Sequence, residues 1–406
     1  QLFYYIIFYR KGEKQMLFSI SVLLLLGMSL GALCKKLHLP ALTGMLITGI
    51  FLGPYALDLI DASILSVSAD LRRIALIIIL IRAGLSLNLD DLKKVGRPAI
   101  LMCFVPACFE MAGMILLAPK LLGISLLDAA ILSSVIAAVS PAVIVPNMVK
   151  LMEEGYGTKK GIPQLILAGA SVDDVFVIVV FTAFTSLAAG DSVSIRSFVN
   201  IPISIFLGII SGLGIGLLLS VFFHRIHMRD TAKVIIFLCI SFLLVTLEDH
   251  CANVIPFASL IAVMTIGVSL QQKNQALSLR LSLKFNKLWV GAEIILFVLV
   301  GATVDLRYLK SAGGTAVLLL LLVLLFRMSG VFLCLAGTDL TKKERLFCMI
   351  AYTPKATVQA AIGGIPLALG LSCGNLILTV AVVSILLTAP LGAFCIENSY
   401  QKLLTH

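Results

Sequence analysis

The sequence predicts an all-α polytopic membrane protein, and three observations carry that prediction. Of 406 residues, 60% are hydrophobic and 13% charged, where a soluble domain carries roughly a quarter charged residues. Uncharged stretches of about 18 residues or more recur along the chain, long enough as helices to cross a hydrocarbon layer of about 30 Å. No polar stretch between them is long enough to hold a soluble domain. The nine cysteines are scattered without paired spacing, so they read as reduced small hydrophobes, with no cofactor and no structural metal expected. The chain begins at Gln1 without a methionine, and QLFYYIIF reads as the stub of an earlier helix or an interfacial anchor.

Apolar length and polar breaks divide the chain into about thirteen transmembrane segments: 16–34, 39–54, 70–88, 97–119, 126–149, 162–189, 199–223, 231–247, 254–271, 288–304, 312–336, 344–370 and 375–397. With loops assigned alternately to two sides, 19 Lys and Arg residues, Lys35, Lys93, Lys159 and Lys342 among them, fall on one side and 9 on the other. The positive-inside rule makes the richer side cytoplasmic, with the N-terminus outside and the C-terminus in the cytoplasm, in a cell or plasma membrane. The net charge of +10 is then mostly topology. It requires no nucleic acid, and basic loops also suit anionic lipid headgroups.

Three basic residues remain inside or near the ends of segments, Arg82, Arg327 and Lys355, against Glu110, Asp173, Asp174 and Glu293. Ionisable groups at that depth are expensive and mark a pathway or a pair.

The chain also repeats itself. IILIRAGLSLNLDDLKK at 78–94 parallels ILFVLVGATVDLRYLK at 295–310, aligning Gly84 with Gly301 at an offset of 217. LPALTGMLITGI from Leu39 parallels IPFASLIAVMTI from Ile255 at 216, and VSPAVIVP from Val139 parallels YTPKATVQ from Tyr352 at 213. Two six-helix halves joined by a seventh, linking helix at 199–223 enter the membrane from opposite faces, the inverted repeat that builds secondary transporters.

In such folds the site forms near the midplane, where corresponding helices break. Pro141 and Pro146 fall within the fifth segment and Pro354 within the twelfth, and each removes a backbone donor and crowds the preceding turn. Carbonyls freed there, with the hydroxyls of Ser140, Thr353 and Thr357, are expected to supply oxygens or neutralise helix ends. The alternative is that the prolines merely kink membrane helices.

Asp173 and Asp174 stand side by side in the apolar run GASVDDVFV at 169–177. Adjacent helical residues point about 100° apart, so the two border one cavity without facing one target. A hard monovalent cation such as Na⁺ or Li⁺ prefers oxygen ligands, so protons and the cation compete for one carboxylate. If the moving part crosses only when that charge is neutralised, competition becomes exchange. The bland alternative is that both acids are salt-bridged and serve packing. Glu110 and Arg327 are again 217 residues apart, and an internal ion pair holding the halves together is the simple expectation, with a direct transport role the alternative. Lys355 is expected to balance the crossing helix ends or to pair with Asp173, and Arg82 to snorkel toward the nearby charged end of its segment.

At these residues a resemblance emerges. SPAVIVPNMV, GYGTKKGIPQLILAGASVDDV, YTPKATVQAAIGG and RRIALIIILIRAGLSL together resemble the cation/proton antiporter superfamily, and within it the NHA branch of sodium/proton antiporters, over essentially the whole chain from the first segment to the thirteenth. The resemblance implies a homodimer. Residues 16–88 and 231–304 would form a dimerisation scaffold, 97–190 and 312–397 a mobile core with crossed discontinuous helices, and exchange of Na⁺ or Li⁺ for H⁺ would proceed by elevator-type alternating access. It makes Asp174 the principal ion ligand and Asp173 its partner. Two-acid members are often electrogenic and commonly carry a lysine where this chain has Arg327, a departure that leaves stoichiometry open.

Three smaller features complete the reading. Gly208, Gly212 and Gly216 recur every four residues on the linking segment, the spacing for close helix approach. His38, His224, His227, His250 and His406 fall in loops or at ends and read as solvated. The alternatives to Na⁺/H⁺ exchange are K⁺/H⁺ exchange, or on the same fold an organic-anion/Na⁺ symporter, which wants a basic or hydroxyl-rich pocket. An intramembrane aspartyl protease would take its two acids from different helices, and a channel would not need matched breaks. The chain is therefore not expected to be an enzyme.

Overall fold

The computed structural model describes residues 16–37, 39–87, 96–189, 195–251 and 257–406. The QLFYYIIF stretch, His38, Lys93, Lys94 and the start of segment 254–271 lie outside the described residues. Every described element is a helix or a turn, in the order α1 Met16–Lys36, α2 Ala41–Leu52, α3 Ala62–Ser66, α4 Ser68–Ser86, α5 Arg97–Met102, α6 Val105–Leu122, α7 Leu126–Ile136, α8 Pro141–Glu154 and α9 Ile162–Ala189. There follow α10 Ile195–Arg225, α11 Asp230–Cys251, α12 Ser259–Lys273, α13 Gln275–Ala302, α14 Leu306–Cys334, α15 Lys342–Ala351, α16 Thr357–Ile362, α17 Ile365–Ala368 and α18 Gly374–Leu403.

Each of the thirteen apolar segments coincides with a helix or a run of helices. Nine helical stretches among the described residues are long and apolar enough to cross a membrane, and the protein is an integral membrane protein of helical, polytopic type. The other four segments differ for local reasons. α2 and α12 are short, at 12 and 15 residues. α4 carries Asp70, Arg72, Arg73 and Arg82, and the twelfth segment is broken into α15, α16 and α17.

The breaks fall at Pro141 and Pro354 but not at Pro146, which lies inside the continuous helix α8 within the fifth segment. Pro141 begins α8 and Pro366 stands in the first turn of α17, where a missing N–H leaves no helical bond unmade. The links 137–140 and 352–356 are non-helical. The segment 97–119 breaks as well, between α5 and α6, with Pro106 in the first turn of the second piece.

Packing repeats the same device twice. α4 lies on α12 and α13 lies on α2, and both crossings place glycine at the closest approach. A Cβ on Gly84 would collide with the Met264 carbonyl and one on Gly267 would come within 2.8 Å of the Gly84 backbone; Gly301 and Gly49 stand in the same relation to the Leu46 and Val298 carbonyls. Small residues let membrane helices approach until their backbones touch. The linking helix α10 packs along α12 in the same way, for a Cβ on Gly208 would lie 2.6 Å from the Ala258 oxygen and one on Gly212 2.5 Å from that of Ala262. α6 lies along α14, α7 packs on α6 and α9, and α18 packs on α8, α14 and α15. Between these helices and the group containing α2, α4 and α13, contact runs through α16 on α4 and α13, and through α18 on α2.

Candidate functional site: a charged crossing of two broken helices

The two non-helical links meet. Ser140 donates its backbone N–H to the Pro354 carbonyl at 2.8 Å, so the break between α7 and α8 is joined to the break between α15 and α16 by a peptide hydrogen bond. Helix breaks at membrane depth leave peptide groups without partners, and these must be satisfied from elsewhere. Side chains supply them here. Gln359 Nε2 donates to Ile136 O at 3.0 Å and to Ala138 O at 2.8 Å. Arg327 donates to Ala137 O through Nη1 and to Tyr352 O through Nε at 2.6 Å. The Lys355 backbone N–H donates to Thr388 Oγ1 at 2.9 Å.

Arg327 is fully buried and also joins two acids, with Nη1 2.7 Å from Glu110 Oε2 and Nη2 2.9 Å from Asp173 Oδ2. A planar fork of five donors is the side chain suited to such a junction. The expected Glu110–Arg327 pair is therefore present, with Lys355 Nζ closing on the same Glu110 oxygen at 2.5 Å. Of the two expectations for Lys355, a pair with Asp173 is not formed: its ammonium takes Glu110, which the sequence did not indicate, and the carbonyl of Ala137 at the end of α7, at 3.4 Å, while Asp173 is held by Arg327 and by the Val139 N–H at 2.8 Å.

Asp174 stands apart. It is 7% exposed, makes no ion pair among the described residues, and its Oδ1 has no hydrogen-bond partner. Asp173 Oδ1, Ser140 Oγ, Thr357 Oγ1 and Gln359 Oε1 are likewise buried without partners. Thr353 differs, donating its hydroxyl to Ile350 O at 2.8 Å at the end of α15. Three carboxylates, Glu110, Asp173 and Asp174, thus share a buried site with two cations, Arg327 and Lys355, and with all five groups ionised the site carries one uncompensated negative charge.

A cavity of about 1020 Å³ lies between α1, α2, α4 and α13 on one wall and α8 and α18 on the other. Its lining includes Lys35, Arg82, Glu293, Glu397, Pro141 and Pro146. Arg82 is half-buried in this wall and shares the cavity with Glu293.

The sequence matches the transmembrane sodium/hydrogen exchanger family over residues 20–397. The chain belongs to that family, within the cation/proton antiporter superfamily. Among curated relatives of this exchanger-family protein, it is 32% identical to sodium/hydrogen exchanger 9B2 of Xenopus tropicalis over 96% of this chain and 75% of the relative. It is 30% identical to human sodium/hydrogen exchanger 9B1, over 90% of this chain and 73% of that protein. Its fold matches the sodium proton antiporter MjNhaP1 of Methanocaldococcus jannaschii, solved at pH 8, with a TM-score of 0.84 at 20% identity over 96% of this chain and 99% of that one.

Two members of this exchanger-family site escaped sequence reasoning. Gln359 and Tyr352 carry no charge and lie in the apolar motif YTPKATVQAA. The available signal was that Gln359 is the one amide in a run otherwise of small and aliphatic residues, AAIGGIPLALG following it. Tyr352 lies over the Arg327 guanidinium, 5.3 Å from carbon to ring centre, and its hydroxyl donates to Met102 O at 3.3 Å.

Proposed function

We propose that this protein is a secondary active transporter that exchanges Na⁺ or Li⁺ for H⁺ at Asp174. The observation that carries the reading is the charge balance of the crossing. Glu110 and Asp173 are paired to Arg327 and Lys355, and Asp174 alone has no cation. A lone carboxylate in a low-dielectric site is strongly disfavoured, so it takes either a proton or a monovalent cation. The two cannot occupy it together, and their competition couples one flux to the other. Asp173 and the unpartnered hydroxyls of Ser140 and Thr357 supply further oxygens of the kind a hard cation prefers. Membership of a family whose relatives are named sodium/hydrogen exchangers supports Na⁺ as the cation.

The movement is read as elevator-like. α1, α2, α4, α11, α12 and α13 form the scaffold, α5–α9 and α14–α18 the mobile core, and α10 the link, a division supported by the few helix pairs that join the groups. The duplicated glycine crossings, Gly84 on Gly267 and Gly301 on Gly49, support two inverted halves and thirteen spans. The cavity lined by Lys35 and Glu397 lies on the side taken as cytoplasmic. On the opposite side the buried Arg72 of α4 lies so close over Gly364 that a Cβ there would strike its guanidinium. A cavity on the one side and this close packing on the other support the reading of an inward-facing state. A homodimer formed through the scaffold, with the C-terminus cytoplasmic, completes the reading.

The test is reconstitution in proteoliposomes with an internal pH-sensitive dye. Adding Na⁺, Li⁺ or K⁺ in turn to the outside identifies the cation, and Asp174→Asn is expected to abolish cation-driven proton movement. Undiminished movement in that variant removes the proposal.

A further inference from the structure

Gln359 lies in the middle of the site without belonging to its charge network. It is fully buried on α16, and both protons of its side-chain amide are committed, to Ile136 O and Ala138 O. That commitment settles the orientation of the amide, because the flipped form would set Oε1 against two carbonyl oxygens and leave both without a donor. Oε1 therefore points away from the end of α7, where it has no hydrogen-bond partner. A buried amide oxygen left unpaired is destabilising, and an amide could have been avoided here, since a methionine fills the same volume without it. Gln359 is tied to the site through Ala138, whose neighbour Val139 donates its N–H to Asp173 Oδ2, and Thr357 Oγ1 on the same helix is also unpartnered. The backbone oxygens nearby, those of Ile136, Ala137 and Ala138, already accept hydrogen bonds from Gln359, Arg327 and Lys355.

We infer that Gln359 Oε1 is a neutral ligand of the transported cation, held in place by its own amide, and that this fixed oxygen helps decide which alkali cation the site prefers. The inference rests on the exchange reading and deepens it. A carboxylate supplies charge to any cation and to a proton alike. A neutral oxygen at a fixed position supplies distance, which Li⁺ and Na⁺ require differently and which a proton on Asp174 does not require at all. Gln359 is thus expected to act on cation affinity and selectivity while leaving proton binding alone.

The experiment compares wild type with Gln359→Met, which keeps the length without an oxygen, and Gln359→Asn, which draws the amide back by one methylene. Each is purified, checked for a monodisperse peak, and measured both by Na⁺- and Li⁺-dependent thermal shift and by proton flux in proteoliposomes. The expected result is a rise of roughly tenfold in the apparent KM for Na⁺, the size of one lost charge–dipole contact, with the Li⁺-to-Na⁺ preference altered and maximal flux largely kept. Equal weakening toward both cations, or none, overturns the inference, as does failure of both variants to fold, which would make the amide a purely structural clamp. The exchange reading fails separately. If wild type moves no protons yet is stabilised by Na⁺, the thermal shifts alone still decide the role of Gln359.

Discussion

Arg327 Nη2 lies 2.9 Å from Asp173 Oδ2 while the neighbouring Asp174 has no such partner, so two adjacent carboxylates of one helix stand in opposite electrostatic situations. Loss of the arginine turns one unpaired acid into two. Arg327→Met is expected to lower stability by about 3–5 kcal/mol, the usual result of stranding one member of a buried pair, read as a fall in detergent melting temperature. Arg327→Lys should fall between, because a single ammonium cannot reach Glu110, Asp173 and the Ala137 and Tyr352 carbonyls together.

The same asymmetry sets the charge moved per cycle. An arginine holds its proton throughout, so on the proposed reading Asp173 would stay paired and Asp174 alone would exchange its occupant, one proton for one monovalent cation. Flux in proteoliposomes is expected to be unchanged when a potassium–valinomycin potential of either sign is imposed. A rate that follows the potential would show that a second group takes part.

Competition fixes the sign of the pH dependence. If protons and the cation bind one carboxylate, as proposed, lowering pH is expected to raise the apparent KM for Na⁺, by up to about tenfold per unit while the empty site is mostly protonated. As pH rises the KM should fall and then level once the empty site is ionised. Initial rates over a matrix of Na⁺ concentration and pH test this, and a KM independent of pH would separate the proton site from the cation site.

Packing around the site is equally open to test. A Cβ at Gly169 would overlap the Tyr352 hydroxyl and come within 2.9 Å of Met102 Cβ, so Gly169→Ala is expected to destabilise by about 1–3 kcal/mol. Tyr352→Phe removes the atom most in conflict. The double variant should therefore be more stable than the sum of the single changes, a coupling measurable by thermal unfolding of all four proteins.

Much of this site was legible in the sequence because membrane depth makes certain residues loud. Pro141 and Pro354 announced breaks since they cannot complete helical bonding, and Asp173, Asp174, Glu110 and Arg327 stood out since charge is rare in apolar runs. The shared offset of 217 foretold that Glu110 and Arg327 would meet. What stayed hidden depends on side-chain reach across helices. Nothing in the spacing distinguishes Lys355 toward Glu110 from Lys355 toward Asp173, and Gln359 gives no charge signal although its amide ties both halves of the crossing. Hydropathy also read the twelfth segment as one span, whereas the link 352–356 divides it and itself carries the tyrosine and the lysine, while α16 carries the glutamine.

The backbone hydrogen bond from Ser140 N–H to the Pro354 carbonyl has a mechanical meaning. Pulling those two strands apart would strip several amides of partners in a place with no water to replace them, so whatever alternates in this protein must carry that knot along intact. Spin labels flanking it should keep a constant separation through the cycle, while a pair astride α4 and α16 should not. On the proposed elevator reading the junction is a rivet, and the sliding would happen around it.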